Sequence, residues 1–126
     1  MSKKHILVIS QYFYPEQFRI NDMCLEWVKR GYKVTVLTGY PNYPGGKFFD
    51  GYGWFKKTRE DWSGIDIIRI PLTARGKGSF RLALNYFSFV FSGFLVTILP
   101  GISFINFSFE QHIFSKYLAL LHISFI

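Results

Sequence analysis

The sequence predicts an α/β fold in which a parallel sheet is flanked by helices, and three observations carry that expectation. Residues 4–10 (Lys-His-Ile-Leu-Val-Ile-Ser) are a short, continuous apolar run. Such a run reads as a strand covered on both faces. Ile20, Met23, Cys24, Trp27 and Val28 then recur at i, i+3, i+4, i+7 and i+8, the spacing of one apolar helix face. Residues 32–38 (Tyr-Lys-Val-Thr-Val-Leu-Thr) are rich in β-branched side chains and read as a second strand. About 22 residues separate the strands, enough for a right-handed parallel crossover.

Each element carries its own punctuation. Gln11-Tyr12-Phe13-Tyr14-Pro15-Glu16 is a turn set by proline. In the helix, Asp22 lies near the start, and Lys29 and Arg30 near the end, which matches the helix dipole; Gly31 supplies the stop. Residues 39–53 are rich in Gly and Pro and form a long loop, a kind that is usually functional in compact domains. Strand candidates at 55–61 and 65–71, with Trp62-Ser63-Gly64 between them, predict a hairpin. Residues 73–79 are a polar, basic loop. From Leu82 to Leu99 there are 18 residues without a charge, which meets the threshold for a membrane span. Asn85, Ser88 and Ser92 would put a polar stripe on that helix, as suits packing against something wet. A buried or membrane-surface helix and a true span both remain open. After Pro100-Gly101 no clean periodicity is left.

Composition narrows the class. At 126 residues the chain holds one domain. Aromatic content is 21%, with 15 Phe, and so much aromatic surface needs a large core, a membrane or a partner to cover it. The net charge is +7, and all of that excess lies in residues 1–81, with 14 bases against 7 acids. A basic half suits an anionic partner, either a phosphate or an acidic lipid surface. Nucleic acid is not expected, because no zinc-finger, RRM or helix-turn-helix signature is present. The single cysteine, Cys24, excludes an internal disulfide and fits a reducing cytosol.

The turn after the first strand holds no glycine, so neither a Gly-x-Gly-x-x-Gly loop nor a Walker loop is present. This argues against a dinucleotide enzyme or an ATPase. The helix start at Phe18-Arg19-Ile20 still offers backbone N–H groups. Arg19 reads either as a bidentate phosphate contact or as a solvated first-turn residue. Aromatics interleave with lysines from Lys47 to Lys57. Trp54, Phe55, Lys56 and Lys57 there suit a membrane interface, and the alternative is core Phe beside solvated Lys. His5, His112 and His122 have no metal-ligand spacing with Cys24, and no metal site is expected. Asp61 and Asp66 read as turn residues, and no catalytic acid or base can be assigned.

Several segments in order carry a resemblance: Ile9-Ser-Gln-Tyr-Phe-Tyr-Pro-Glu16, Phe18-Arg-Ile-Asn-Asp22, Val28-Lys-Arg-Gly-Tyr-Lys-Val-Thr-Val-Leu-Thr-Gly39 and Tyr40-Pro-Asn-Tyr-Pro-Gly45. Asp50-Gly-Tyr52, the run from Trp62 to Pro71 and Arg81-Leu-Ala-Leu-Asn-Tyr-Phe-Ser-Phe89 continue it. Together they resemble the N-terminal domain of bacterial retaining family-four glycosyltransferases that build O-antigen, capsule and exopolysaccharide. The resemblance covers residues 4–99. It implies a partial Rossmann-like domain, the front part of the acceptor-side N-terminal domain of a GT-B glycosyltransferase.

Such an enzyme transfers a sugar from a nucleotide-sugar donor to a lipid-linked sugar acceptor. It uses no metal or other cofactor, and the donor is expected only for the full-length enzyme. The implied substrate contacts are Phe18, Arg19 and Asn21 after the first strand, and Asn42 and Tyr43 in the Pro41-Asn42-Tyr43-Pro44 loop. The alternative for that loop is that its prolines merely stiffen it. Residues 100–126 depart from the family pattern and read as an atypical tail, the product of a frameshift or gene break. The expectation is a truncated chain, inactive alone unless a separately encoded C-terminal domain completes it. It is expected in the cytoplasm, peripheral on the inner face of the plasma membrane. The rival reading is a non-catalytic, basic-aromatic module that binds an anionic membrane surface.

Overall fold

The computed structural model describes residues 3–98 and 119–122. Its elements are β1 (His5–Ser10), α1 (Arg19–Lys29), β2 (Lys33–Gly39), β3 (Arg59–Trp62), β4 (Ile65–Ile70), α2 (Ser79–Ile98) and β5 (Ala119–His122). The strands form one open sheet in the order β3-β4-β2-β1-β5. Every neighbouring pair is parallel except β3 with β4. The chain is thus α/β, with a mostly parallel sheet flanked by helices. The tail expected over 100–126 lies outside the described residues apart from β5, and so does His112.

The two helices cover opposite faces of the sheet. Val34, Val36, Ile65 and Ile67 join Ile20 and Cys24 of α1 in one core. Leu37, Ile68 and Ile70 join Phe89 of α2 in another. Side chains alternate faces along a strand, so odd and even positions on β4 serve different helices. Each fully buried aliphatic side chain in these cores contributes about 1.5–3 kcal/mol.

Four elements differ from expectation. The hairpin is shorter than its apolar pattern, because residues 53–57 fold on themselves before β3 begins. Lys56 N donates to the Gly53 carbonyl, and Phe55 (φ 60°) and Lys57 (φ 46°) are left-handed. Trp62 belongs to the strand, opposite Ile65. The turn is therefore Ser63-Gly64 alone, with φ values of 52° and 84°, as a two-residue hairpin of primed type requires. In α1, Ile20 and Cys24 are buried but Met23 is 40% exposed, so the buried face is narrower than its spacing suggested. β5 carries no sequence signal of its own and extends the sheet beyond β1.

The largest departure is α2. Its polar stripe faces the protein, not water. Asn85 is buried; its Oδ1 accepts from Gln11 Nε2 and from the Tyr12 hydroxyl (3.0 Å), and its Nδ2 donates to the Thr73 carbonyl. Ser88 Oγ accepts from Thr73 N at 2.9 Å. The outward side of the helix is apolar instead: Phe80, Leu84, Phe87 and Phe91 are all exposed. By length and composition Ser79–Val96 could cross a membrane. Its polar residues nevertheless clamp the loops that follow β1 and β4.

That clamp is testable. Asn85→Ala leaves a buried hydroxyl, an amide and a carbonyl without this partner, and each such loss costs about 1–3 kcal/mol. Urea unfolding should show a loss of at least ~2 kcal/mol. An unchanged midpoint would contradict the inward-facing stripe.

Candidate functional site

Because β1, β2 and β4 are parallel, their C-terminal ends lie on one edge of the sheet. Open α/β sheets bind ligands at that edge, where the strand order reverses. Here the chain runs from β1 towards β2 and β4, and β5 returns to the other side of β1. The loops leaving the edge are 11–18, 40–58 and 71–78.

Glu16 ties the first loop to the second. Its Oε1 accepts from Asn42 N (2.8 Å) and Tyr43 N (2.6 Å). Asn42 ties the second loop to the third. It is fully buried; Nδ2 donates to the Tyr40 carbonyl at 2.8 Å, and Oδ1 accepts from Arg75 N at 2.8 Å. Gly46 closes the same turn, donating to the Asn42 carbonyl at 2.8 Å. Its φ is +73°, and a Cβ there would collide with the Arg75 carbonyl, so no other residue fits without strain.

Beneath the loops lies Arg69, with a fully buried side chain. It donates to the carbonyls of Gly39 and Tyr14, pairs with Glu60 and stacks 4.7 Å over the Tyr52 ring. Arg69 thereby fixes the loop after β1 and the end of β2 to the hairpin. Removing Glu60 would leave a buried charge unpaired, a class of change that costs about 3–5 kcal/mol.

On this frame sits an aromatic cluster. The Tyr12 and Phe18 rings stack at 5.5 Å, and Tyr43 meets Tyr12 at 5.7 Å and Phe18 at 5.2 Å. The Arg75 guanidinium lies 4.9 Å from the centre of the Tyr43 ring. Burial pushes the Tyr12 hydroxyl above its ordinary pKa, and nearby Arg75 pulls it back. Apolar ring surface, a cation and hydroxyls are thus gathered in one place, the mixture that small-molecule sites use.

The sequence-predicted residues divide accordingly. Phe18 and Tyr43 are half-buried members of the cluster. Asn21 is buried; Nδ2 donates to the Glu16 carbonyl at 2.7 Å, while Oδ1 has no donor among the described residues. Arg19 is exposed and opens α1, which has no side-chain N-cap. Asn42 is fully buried, and each end of its amide is engaged within the loops. Trp54, Phe55, Lys56 and Lys57 are all exposed, and Lys57 Nζ lies 4.8 Å over the Tyr52 ring. Sequence reasoning missed Tyr12 and Arg75 as members of the cluster. The signal available was three aromatics packed directly after a strand's C-terminal end.

Glu16 makes the frame pH-dependent. Burial raises its carboxyl above the ordinary value, against the N–H groups of Tyr43, Asn42 and Phe13 and the charge of Arg69. The native chain therefore holds that proton more tightly than the unfolded chain. The stability this group contributes is complete below the ordinary carboxylate range and falls as pH rises through the raised folded value. Glu16→Gln keeps an acceptor for both N–H groups and should flatten this pH dependence without destabilising the protein at neutral pH. Glu16→Ala orphans both N–H groups and should cost about 2–4 kcal/mol. Urea midpoints across acid to neutral pH check both outcomes; equal losses for the two variants would contradict the bridging role.

Comparison of the chain with protein-family models, with curated protein sequences and with solved structures finds no match.

Proposed function

We propose that the chain forms the acceptor side of a sugar transferase of GT-B type and holds a lipid-linked sugar at the strand-end loops. The observation that carries the reading is the cluster of Tyr12, Phe18 and Tyr43 with Arg75 stacked on Tyr43. Aromatic faces pack well against apolar ring surfaces, and a guanidinium suits a diphosphate. The order of the family-like segments from Ile9 to Phe89 supports the same assignment.

In this reading the nucleotide sugar is held by residues outside these 126, and the chain binds and orients the acceptor. Holding both reactants together supplies much of the rate of a transfer, so this half alone binds without turnover. The lipid tail of the acceptor requires a membrane nearby. The exposed Trp54, Phe55, Lys56 and Lys57 suit contact with an anionic cytoplasmic leaflet.

Two experiments test the reading. Titration of the full chain with a short-chain polyprenyl-diphosphate sugar, followed by tyrosine and tryptophan fluorescence, should give saturable binding. Tyr43→Ala and Arg75→Ala should each weaken it about tenfold or more, ~1.4 kcal/mol. Glu26→Gln, at the exposed Arg30 pair, should leave it unchanged. Equal affinity for all four proteins would contradict the assignment to these loops. Separately, Lys56→Gln with Lys57→Gln should weaken co-sedimentation with acidic vesicles by roughly 2 kcal/mol, at about 1 kcal/mol per lysine. No change would remove the electrostatic contact.

A further inference from the structure

The outward face of α2 bears Phe80, Leu84, Phe87 and Phe91, exposed by 80%, 45%, 63% and 63%. Their spacing is four, three and four residues. This alternation is the a/d pattern of a helix–helix seam. The opposite face is already occupied, with Asn85 and Phe89 buried against the domain. With its inner side packed on the domain, α2 leaves its outer apolar stripe for a further contact.

We propose that this stripe is the seam of a two-fold, antiparallel dimer of the chain, a property separate from the acceptor reading. The occupant is argued from charge and area. An interfacial helix lying on lipid carries Lys and Arg along its rims. Between Leu82 and Ile98, α2 carries no charge at all; its one charged residue is Arg81, in the first turn. With Val90 at the rim (46% exposed), the stripe presents on the order of 500 Å² per copy, taking ~150–250 Å² for a whole aromatic side chain. A pair covers about 1,000 Å², the lower limit of a specific interface.

Charge also sets the direction. A parallel pair would bring together two positive helix ends, each with its own Arg81 and no acid in the first turn. An antiparallel pair sets each positive end beside the partner's uncharged C-terminal half. The a-with-d register then layers Phe80 on Phe91 of the partner subunit and Leu84 on Phe87 of the partner subunit. The contact is self-complementary and closes at two copies.

The test uses the full chain in lipid-free buffer. Sedimentation should give a monomer–dimer equilibrium, and Phe87→Glu should weaken it about tenfold or more. Cys24 is fully buried, with its thiol pushed up to about 12, so introduced cysteines are the reactive ones. Phe80→Cys protein mixed with Phe91→Cys protein should cross-link on mild oxidation, as should Leu84→Cys mixed with Phe87→Cys. Phe80→Cys alone should not. If Phe87→Glu fails to fold, the cysteine pairs decide the question. A monomer throughout, self-cross-linking of Phe80→Cys, assemblies larger than two, or a stripe that binds neutral vesicles in place of a second copy would each overturn the proposal.

Discussion

The Glu16 carboxylate joins segments 26 and 27 residues apart by accepting the Asn42 and Tyr43 N–H groups on one oxygen. The rest of the strand-end loop cluster depends on that junction. It sets where the entrance to α1 meets the 41–44 loop, and so where Phe18 meets Tyr43. Asn42 passes the constraint on to Arg75. Arg75 in turn stands over Tyr43, and the circuit closes on itself. A carboxylate in such a place carries a desolvation cost, which its N–H partners only partly offset. What the arrangement secures is the geometry of the cluster.

The same economy of polar groups explains α2. A helix this apolar would ordinarily bury its hydrophobic side and wet its polar one. Here the loops after β1 and β4 leave a tyrosine hydroxyl, a glutamine amide, a carbonyl and a backbone N–H that need partners inside the domain. Asn85 and Ser88 meet that demand, because unpaired buried polar groups cost more than exposed phenylalanines. The apolar residues between them are consequently turned outward. Part of the aromatic content lies on that exposed helix face, at Phe80, Phe87 and Phe91, and part in the core, at Phe13, Tyr40 and Phe89.

Much of this was legible in the sequence, and the reasons are local. The runs at 4–10 and 32–38 and the spacing from Ile20 to Val28 each encode one element, and β1, α1 and β2 follow from them. The hairpin was legible in kind but not in extent, since alternation cannot reveal that Phe55 and Lys57 adopt left-handed backbone. The burial of Asn42 was not legible between its two prolines, because the partner for its amide oxygen comes from the third loop. The direction of the α2 stripe was equally hidden. Spacing reports that Asn85 and Ser88 share a side, not what that side meets. The cluster of Tyr12 with Arg75 joins positions 63 residues apart, and no local pattern reports such a distance.

An acceptor site at the strand-end loops requires that its aromatic rings touch the sugar itself. Saturation-transfer NMR on the full chain with a short-chain polyprenyl-diphosphate sugar, irradiating aromatic protons, measures that contact directly. The account predicts transfer to the sugar-ring protons, and its loss when Tyr43 is replaced by alanine. Transfer confined to the prenyl chain, or none at all, would contradict it.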